Sequence, residues 1–206
     1  MERADLQRFP GERQREPYSG APRALIVALI GLPGAGKSTI ARALERELDL
    51  RRVCRDAIRH AMFPRCDYSF VEKRAAFRTV LLAVEINCLL GDSSVIDGMT
   101  FSRREDYDQV AALADAHGFD VLPLLIDCPA AIARERIARE RAGDDASGSA
   151  HVAEDREPVL VDLVARRFDP PPAAAIRIDA TRAMADVCRL AVAEVSARIG
   201  RGTARA

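Results

Sequence analysis

Lysine is almost missing from this sequence: of 31 basic residues only Lys37 and Lys73 are lysines, and the rest are arginines. Alanine is also abundant, and this bias reads as codon composition, so an arginine alone is weak evidence of a site. The 31 acidic residues bring the formal net charge to +0. That argues against a broad surface for nucleic acid or anionic membrane, although it leaves room for a local basic patch. Tryptophan is absent and aromatic residues make up 5%, which gives a basic groove with interleaved stacking rings little to build on. No stretch approaches the roughly 20 apolar residues of a membrane span. The N-terminal segment MERADLQRFPGERQREP is charged and contains no apolar signal sequence.

Cysteine excludes more. Cys54, Cys66, Cys88, Cys128 and Cys188 form no Cys-x-x-Cys pair, and an odd number cannot be fully paired within one chain. Several sit in apolar runs, and they read as reduced core residues of a cytoplasmic protein. His60, His117 and His151 are far apart and lack ligand partners at zinc-like spacing.

What is present is enough for one compact domain: 206 residues, 49% of them hydrophobic. Residues 1–22 show no period and are expected to be a flexible tail, with 23–200 the folded domain and 201–206 a frayed end. Within the domain, apolar runs bounded by turn residues alternate with helix-length segments, the pattern of βαβ units around a parallel sheet. Strands are expected at Ala24–Ile30, Arg52–Cys54, Ser94–Asp97, Val121–Ile126 and Ile176–Asp179. Helices are expected at Lys37–Leu48, from about Asp56, and at Tyr68–Leu90, Arg103–His117, Ala130–Arg141, Val159–Phe168 and Met184–Ile199. In the long third helix, Phe77, Leu81, Val84 and Cys88 recur at intervals of three and four. Gly143–Ala150 reads as a mobile connector.

The strongest motif is Gly31-Leu32-Pro33-Gly34-Ala35-Gly36-Lys37-Ser38, followed by Thr39. It matches G-x-x-x-x-G-K-[ST] at every fixed position, and a strand precedes it while a helix begins inside it. Glycines let backbone N–H groups turn toward phosphate oxygens, and the helix N-terminus adds partial positive charge. Lys37, expected on an exposed loop, can reach the β- and γ-phosphates of ATP, and the Ser38 hydroxyl can ligate Mg²⁺. Arginine is too bulky and planar for that compact contact. The same cradle serves kinases, motors and GTPases. No Asn-Lys-x-Asp guanine reader occurs, and motors and AAA-type machines are usually longer or ring-forming. A single P-loop in a chain of this size fits a small kinase better.

Asp56, in Arg55-Asp56-Ala57-Ile58-Arg59, lies about twenty residues past Lys37 at an expected strand-to-helix turn, hence at the carboxyl edge of the sheet. A carboxylate there can accept the proton of an attacking hydroxyl. Arg59, one turn on, can hold an anionic substrate group. The same pattern also fits a helix N-cap with a surface arginine. Val95-Ile96-Asp97 looks like a short Walker B strand whose carboxylate serves Mg²⁺ or orients Asp56 and Arg59. Arg103 and Arg104 follow on the next loop, where they either contact substrate or are simply solvated.

Taken together, GLPGAGKST, RDAIR, VIDGMTFSRRED and LLIDCP with its arginine-rich helix resemble a group of P-loop kinases. The group contains polynucleotide 5′-hydroxyl kinases, zeta-toxin-like enzymes and chloramphenicol-phosphotransferase-like enzymes, and the resemblance covers about residues 24–182. It implies that Asp56 is the general base and that Arg59 contacts the substrate. It also implies a lid helix whose arginines close over the transferring phosphoryl group, with Arg136 the first choice and Arg139 on the same side. Gly143–Ala150 would be the hinge, and Asp179-Ala180-Thr181 would lie near the adenine.

The expected fold is therefore α/β: a P-loop NTPase three-layer sandwich with a five-stranded parallel sheet in the order 2-3-1-4-5 and an arginine-rich lid. The expected reaction is transfer of the ATP γ-phosphoryl group, with Mg²⁺, to a hydroxyl of a small molecule. Lys37 and Ser38 would hold the donor, Asp56 would activate the acceptor, and Arg136 would neutralise the transition state. Two alternatives stand beside it. One is a polynucleotide 5′-hydroxyl kinase, for which Lys73, Arg74 and Arg78 are the best argument. The other is a nucleotide-dependent switch or toxin-like protein.

Overall fold

The structure, a computed structural model, describes residues 24–143 and 157–201. The expected tail (1–22), most of the expected connector (144–150) and the last residues (202–206) lie outside the described residues.

The chain runs β1 (Leu25–Ile30), α1 (Lys37–Leu48), β2 (Arg51–Cys54), α2 (Arg55–Met62), α3 (Phe70–Leu90), β3 (Ser94–Asp97), α4 (Arg104–Ala116), β4 (Asp120–Asp127), α5 (Ala130–Arg141), α6 (Pro158–Ala165), β5 (Ile176–Asp179) and α7 (Met184–Arg201). All strands are parallel, in the order β2-β3-β1-β4-β5. This is the architecture and strand order that the sequence predicts.

β1 shows why the sheet is covered twice. All six of its residues are buried. Leu25, Val27 and Leu29 pack with Ile40 and Leu44 of α1, Ile137 of α5 and Val187 and Ala191 of α7. Ile26, Ala28 and Ile30 pack with Val80 and Val84 of α3 and Val110 of α4. Alternate residues point to opposite faces of a strand, so a continuous apolar run is what a central parallel strand requires. Each large side chain buried this way contributes about 1.5–3 kcal/mol.

Element ends differ from expectation by a few residues, with local causes. α3 begins at Phe70 rather than Tyr68, because Ser69 caps it by accepting from the Glu72 N–H, and Tyr68 has a left-handed φ of 57° that ends regular structure there. α6 ends at Ala165, earlier than Phe168, and starts on Pro158, a residue preorganised for the first turn. Of the cysteines, only Cys88 and Cys128 are buried, while Cys54, Cys66 and Cys188 are half-buried; all five are free thiols. Burial pushes the Cys88 thiol up to about 11.

The carboxyl ends of the strands gather the chemistry. β1 runs into the P-loop, β3 ends on Asp97, and β2 ends on Cys54, the register partner of Asp97. Arg55 and Asp56 follow at once. β1 lies between β3 and β4, so connections leave it to both sides and open a crevice at this edge.

Candidate active site

The P-loop folds as a phosphate cradle should. Gly36 takes a left-handed φ of 96° as N-cap of α1 and offers no side-chain cap, so the first N–H groups of α1 stay available to an anion. Gly34 has φ +81°, and a Cβ there would meet the Ala133 carbonyl oxygen of α5 at 2.3 Å, so only glycine fits. Lys37 departs from expectation. It is only 8% exposed, and its ammonium donates to the carbonyls of Gly31 at 2.9 Å and Leu32 at 2.7 Å. It spans the loop from inside rather than projecting from it. Pro33, Ala35 and Thr39 complete the turn, with the Ala35 N–H donating to the Leu32 carbonyl and the Thr39 N–H to that of Gly36.

The Ser38 hydroxyl donates to Asp97 Oδ1 at 2.8 Å, and the Gly98 N–H donates to the same oxygen at 2.7 Å. Arg52 Nη1 donates to Asp97 Oδ2 at 3.1 Å, while its Nε bonds Glu45 at 2.9 Å. Asp97 is 2% exposed. A hydroxyl and a carboxylate held together at the start of a P-loop helix are the hard oxygen donors that Mg²⁺ takes. Among the described residues no group of three or more His, Cys, Asp or Glu side chains forms a metal site by itself. Ser38 and Asp97 therefore fit a cation whose shell nucleotide phosphates and water complete.

Asp56 comes to the same edge. It is 5% exposed, and Arg55 Nη2 and Arg59 Nη2 both contact its Oδ1, at 3.1 and 3.2 Å. Its Oδ2 lies against Gly98, whose φ is +74° and where a Cβ would come within 3.1 Å of that oxygen. The residue after Asp97 thus has to be small for the Asp56 carboxylate to sit where it does. The simple capping role does not apply: Cys54 is the N-cap of α2, and no side chain caps it.

Arg59 is brought to Asp56 but is not presented to solvent. It is 3% exposed and lies under the Tyr68 ring, 4.4 Å from the centroid. Tyr68 is held there by Glu72, whose Oε2 accepts from the N–H groups of Asp67 and Tyr68 at 3.0 and 2.9 Å and from the Cys66 thiol at 3.0 Å. Sequence reasoning missed Tyr68, although Ser69-Phe70-Val71-Glu72 is a legible capping box. It also missed Arg52, because nothing in a four-residue strand says which carboxylate a solvent-edge arginine will find.

The remaining candidates separate. Arg136 joins the site: Nη1 donates to the Ala35 carbonyl of the P-loop at 3.4 Å, and Nη2 donates to the Ala180 carbonyl after β5 at 2.8 Å. It braces the loop against that turn, and it would have to release these carbonyls to reach a transferring phosphoryl group. Arg139 does not join it; 68% exposed, it pairs with Glu135 one turn back. Arg103 is exposed and pairs with Glu105, and Arg104 pairs with Asp108 at 2.8 Å. At the expected adenine turn, the Thr181 hydroxyl and then its N–H hold the Asp179 carboxyl below the usual carboxylate range.

This strand order and this edge define a P-loop fold with a parallel five-stranded sheet. A family model described as an AAA domain matches residues 26–157, and the chain belongs to that family. No curated protein matches the sequence significantly. Among solved structures, the chain is similar to a Chloroflexus aurantiacus J-10-fl protein provisionally assigned as a kinase (TM-score 0.63, 21% identity, covering 86% of this chain and 98% of that one). It is also similar to a gluconokinase from Sinorhizobium meliloti 1021 (TM-score 0.61, 14% identity, 87% and 95%). A third is the APS kinase of Mycobacterium tuberculosis in complex with AMPPNP and APS (TM-score 0.55, 19% identity, 85% and 99%). At these identities the likeness is one of fold. The family bears the name of the AAA machines set aside on length, whereas these fold neighbours are described as kinases. The particular subgroup of polynucleotide, zeta-toxin-like and chloramphenicol-phosphotransferase-like enzymes does not emerge among them. No helix of the described residues is long and apolar enough to cross a membrane.

Proposed function

We propose that this protein is an ATP-dependent kinase that transfers the γ-phosphoryl group to a hydroxyl of a small molecule. One observation carries the reading. Gly98 links the two sides of the site: its N–H bonds the Asp97 carboxylate that holds Ser38, and its Cα lets the Asp56 carboxylate approach. Donor-side and acceptor-side carboxylates thereby share one strand edge.

In this reading Lys37 and the N–H groups of the P-loop bind the phosphates, and Lys37 exchanges its loop carbonyls for phosphate oxygens. Mg²⁺, held by Ser38 with Asp97, supplies charge neutralisation and geometry to the phosphates when bound. Asp56 accepts the proton of the acceptor hydroxyl as its oxygen bonds to the γ-phosphorus and the bond from that phosphorus to the β,γ-bridging oxygen breaks, with ADP leaving. Arg55 and Arg59 hold its carboxylate in place, with Tyr68 fixing Arg59. Arg136 keeps the P-loop registered against the turn after β5. Fold neighbours named for gluconate and for APS support a small acceptor.

The test is an ATP-consumption screen with metabolite pools and 5′-hydroxyl oligonucleotides side by side. Turnover on a small hydroxyl compound supports the proposal. Turnover on the oligonucleotide alone, or ATP binding without turnover on any acceptor, overturns it.

A further inference from the structure

On the acceptor side of the sheet, guanidinium groups come from three separate places in the chain, and the proposed reaction uses only some of them. Arg55 opens α2, Arg59 lies one turn on, Arg74 comes from α3, and Arg103 precedes α4. Facing them are three carboxylates: Asp56, Asp106 on the first turn of α4, and the more exposed Glu105 beside Arg103. Arg74 Nη1 lies 3.4 Å from Asp106 Oδ1, at the limit of a hydrogen bond, and the Arg74 guanidinium lies 5.8 Å from the centre of the Phe77 ring. Burial raises the Asp106 carboxyl above its usual range, against the opposing charges of Arg103, Arg74 and Arg55. Among the described residues, Arg55 Nε is buried without a hydrogen-bond partner. Its Nη1 is matched only to the sulfur of Met99, at 3.5 Å. A sulfur is a weak acceptor, and an orphaned buried donor is costly.

The cluster is therefore over-supplied with donors beside the proposed general base. An ordinary structural ion pair would match its charges and close its bonds. Here a long Arg74–Asp106 contact and an Arg55 Nη1 on sulfur leave donors for an oxyanion to satisfy, while the sealed Arg55 Nε shows that the protein itself does not complete the bonds of this guanidinium. A carboxylate or phosphate group is bound best by just such planar, multiply donating guanidiniums.

We propose that Arg55 and Arg74 form an oxyanion subsite that selects an acceptor carrying a carboxylate or phosphate group in addition to the hydroxyl that is phosphorylated. Asp106 is the internal counter-ion: it occupies Arg74 when the acceptor is absent and is displaced when the acceptor's anion arrives. This rests on the kinase reading above and adds the substrate class to it. Bound there, the anion fixes the acceptor at one end and leaves its hydroxyl to Asp56.

The experiment uses the whole chain saturated with AMPPNP and Mg²⁺, so that the P-loop is filled and cannot bind the probe. Glycerol, glycerate and glycerol 3-phosphate are titrated by calorimetry. The two anions should bind and glycerol should bind at least about tenfold more weakly. A preference between glycerate and glycerol 3-phosphate tells carboxylate from phosphate. Arg74→Gln should weaken anion binding about tenfold or more. Asp106→Asn should tighten it, because the competing carboxylate is gone. That opposite sign is what a merely structural pair would not produce. Equal binding of glycerol, unchanged binding in Arg74→Gln, or weaker binding in Asp106→Asn overturns the subsite. If AMPPNP·Mg²⁺ binds and no anion does, only the subsite fails. If AMPPNP·Mg²⁺ itself does not bind, the kinase reading fails.

Discussion

Ser38 and Asp97 are 59 positions apart in the chain and are joined by a 2.8 Å hydrogen bond, the hydroxyl donating to Oδ1. The bond ties the first turn of α1 to the end of β3, and its two oxygens are the proposed Mg²⁺ ligands. Ser38→Ala and Asp97→Asn should each weaken nucleotide binding when Mg²⁺ is present and alter it little in EDTA. Fluorescent-nucleotide titrations with and without Mg²⁺ measure this. Equal losses in both conditions would show that the pair only props up the fold.

Asp56→Asn should separate from these two variants. Loss of a general base typically costs about 10²–10⁴-fold in kcat, and Mg²⁺-dependent nucleotide binding should hardly change. Sequence alone suggests that stability would be spared as well, since an amide keeps the shape of a cap. The structure reverses that expectation: Asp56 neutralises Arg59, which is buried beneath Tyr68. The variant should therefore also lose roughly 1–3 kcal/mol, the cost of leaving a buried charged donor poorly matched. Initial rates and thermal melts on one preparation settle both points.

Lys37→Ala should abolish phosphoryl transfer. It should also lower the melting temperature, because the ammonium satisfies the carbonyls of Gly31 and Leu32 from inside the loop. Bonds to a charged group contribute about 1.5–3 kcal/mol each, and partial replacement by water should leave a drop of a few degrees. A Lys37→Ala protein with wild-type turnover would remove the basis of the kinase reading.

Burial raises the carboxyl of Asp106 above its usual range, against the pull of Arg103 and Arg74. A group with a raised folded pKa binds its proton more tightly when native, so its ionised form subtracts from stability at pH 7. That cost fades as pH falls through the folded pKa and is gone below the ordinary carboxylate value of about 4. Asp106→Asn should thus raise the melting temperature at pH 7, and the gain should disappear in acid. A variant less stable at pH 7 would mean that the contact with Arg74 outweighs desolvation.

Much of this edge was legible in the sequence, for reasons that differ by residue. The P-loop is local: eight contiguous residues state both its chemistry and its backbone. Asp97 and Asp56 follow from strand ends, because in a parallel sheet the carboxyl edge is shared, whatever the order of the strands. Arg136 could be chosen by register from the Cys128-Pro129 turn, but not its partners, since Ala35 and Ala180 lie 101 and 44 positions away. Arg139 shares a helix side with it in projection only, and the i,i+4 glutamate captures it first. Arg74 with Asp106 and Arg59 with Tyr68 depend on how α2, α3 and α4 meet. No period or motif encodes that meeting.

The contact between Gly34 and α5 limits how this protein can move. The backbone of the phosphate loop rests on the carbonyl of Ala133 and beside the side chain of Ile137, with no room for even one methyl group between them. That makes the first turn of α5 a fulcrum rather than a lever. Tilting the whole helix would prise the loop open, so Arg136 must stay with its base while any swing is confined to the stretch beyond Ile137. Beyond that point lie Arg139 and Arg141, both exposed and paired with Glu135 and Glu157.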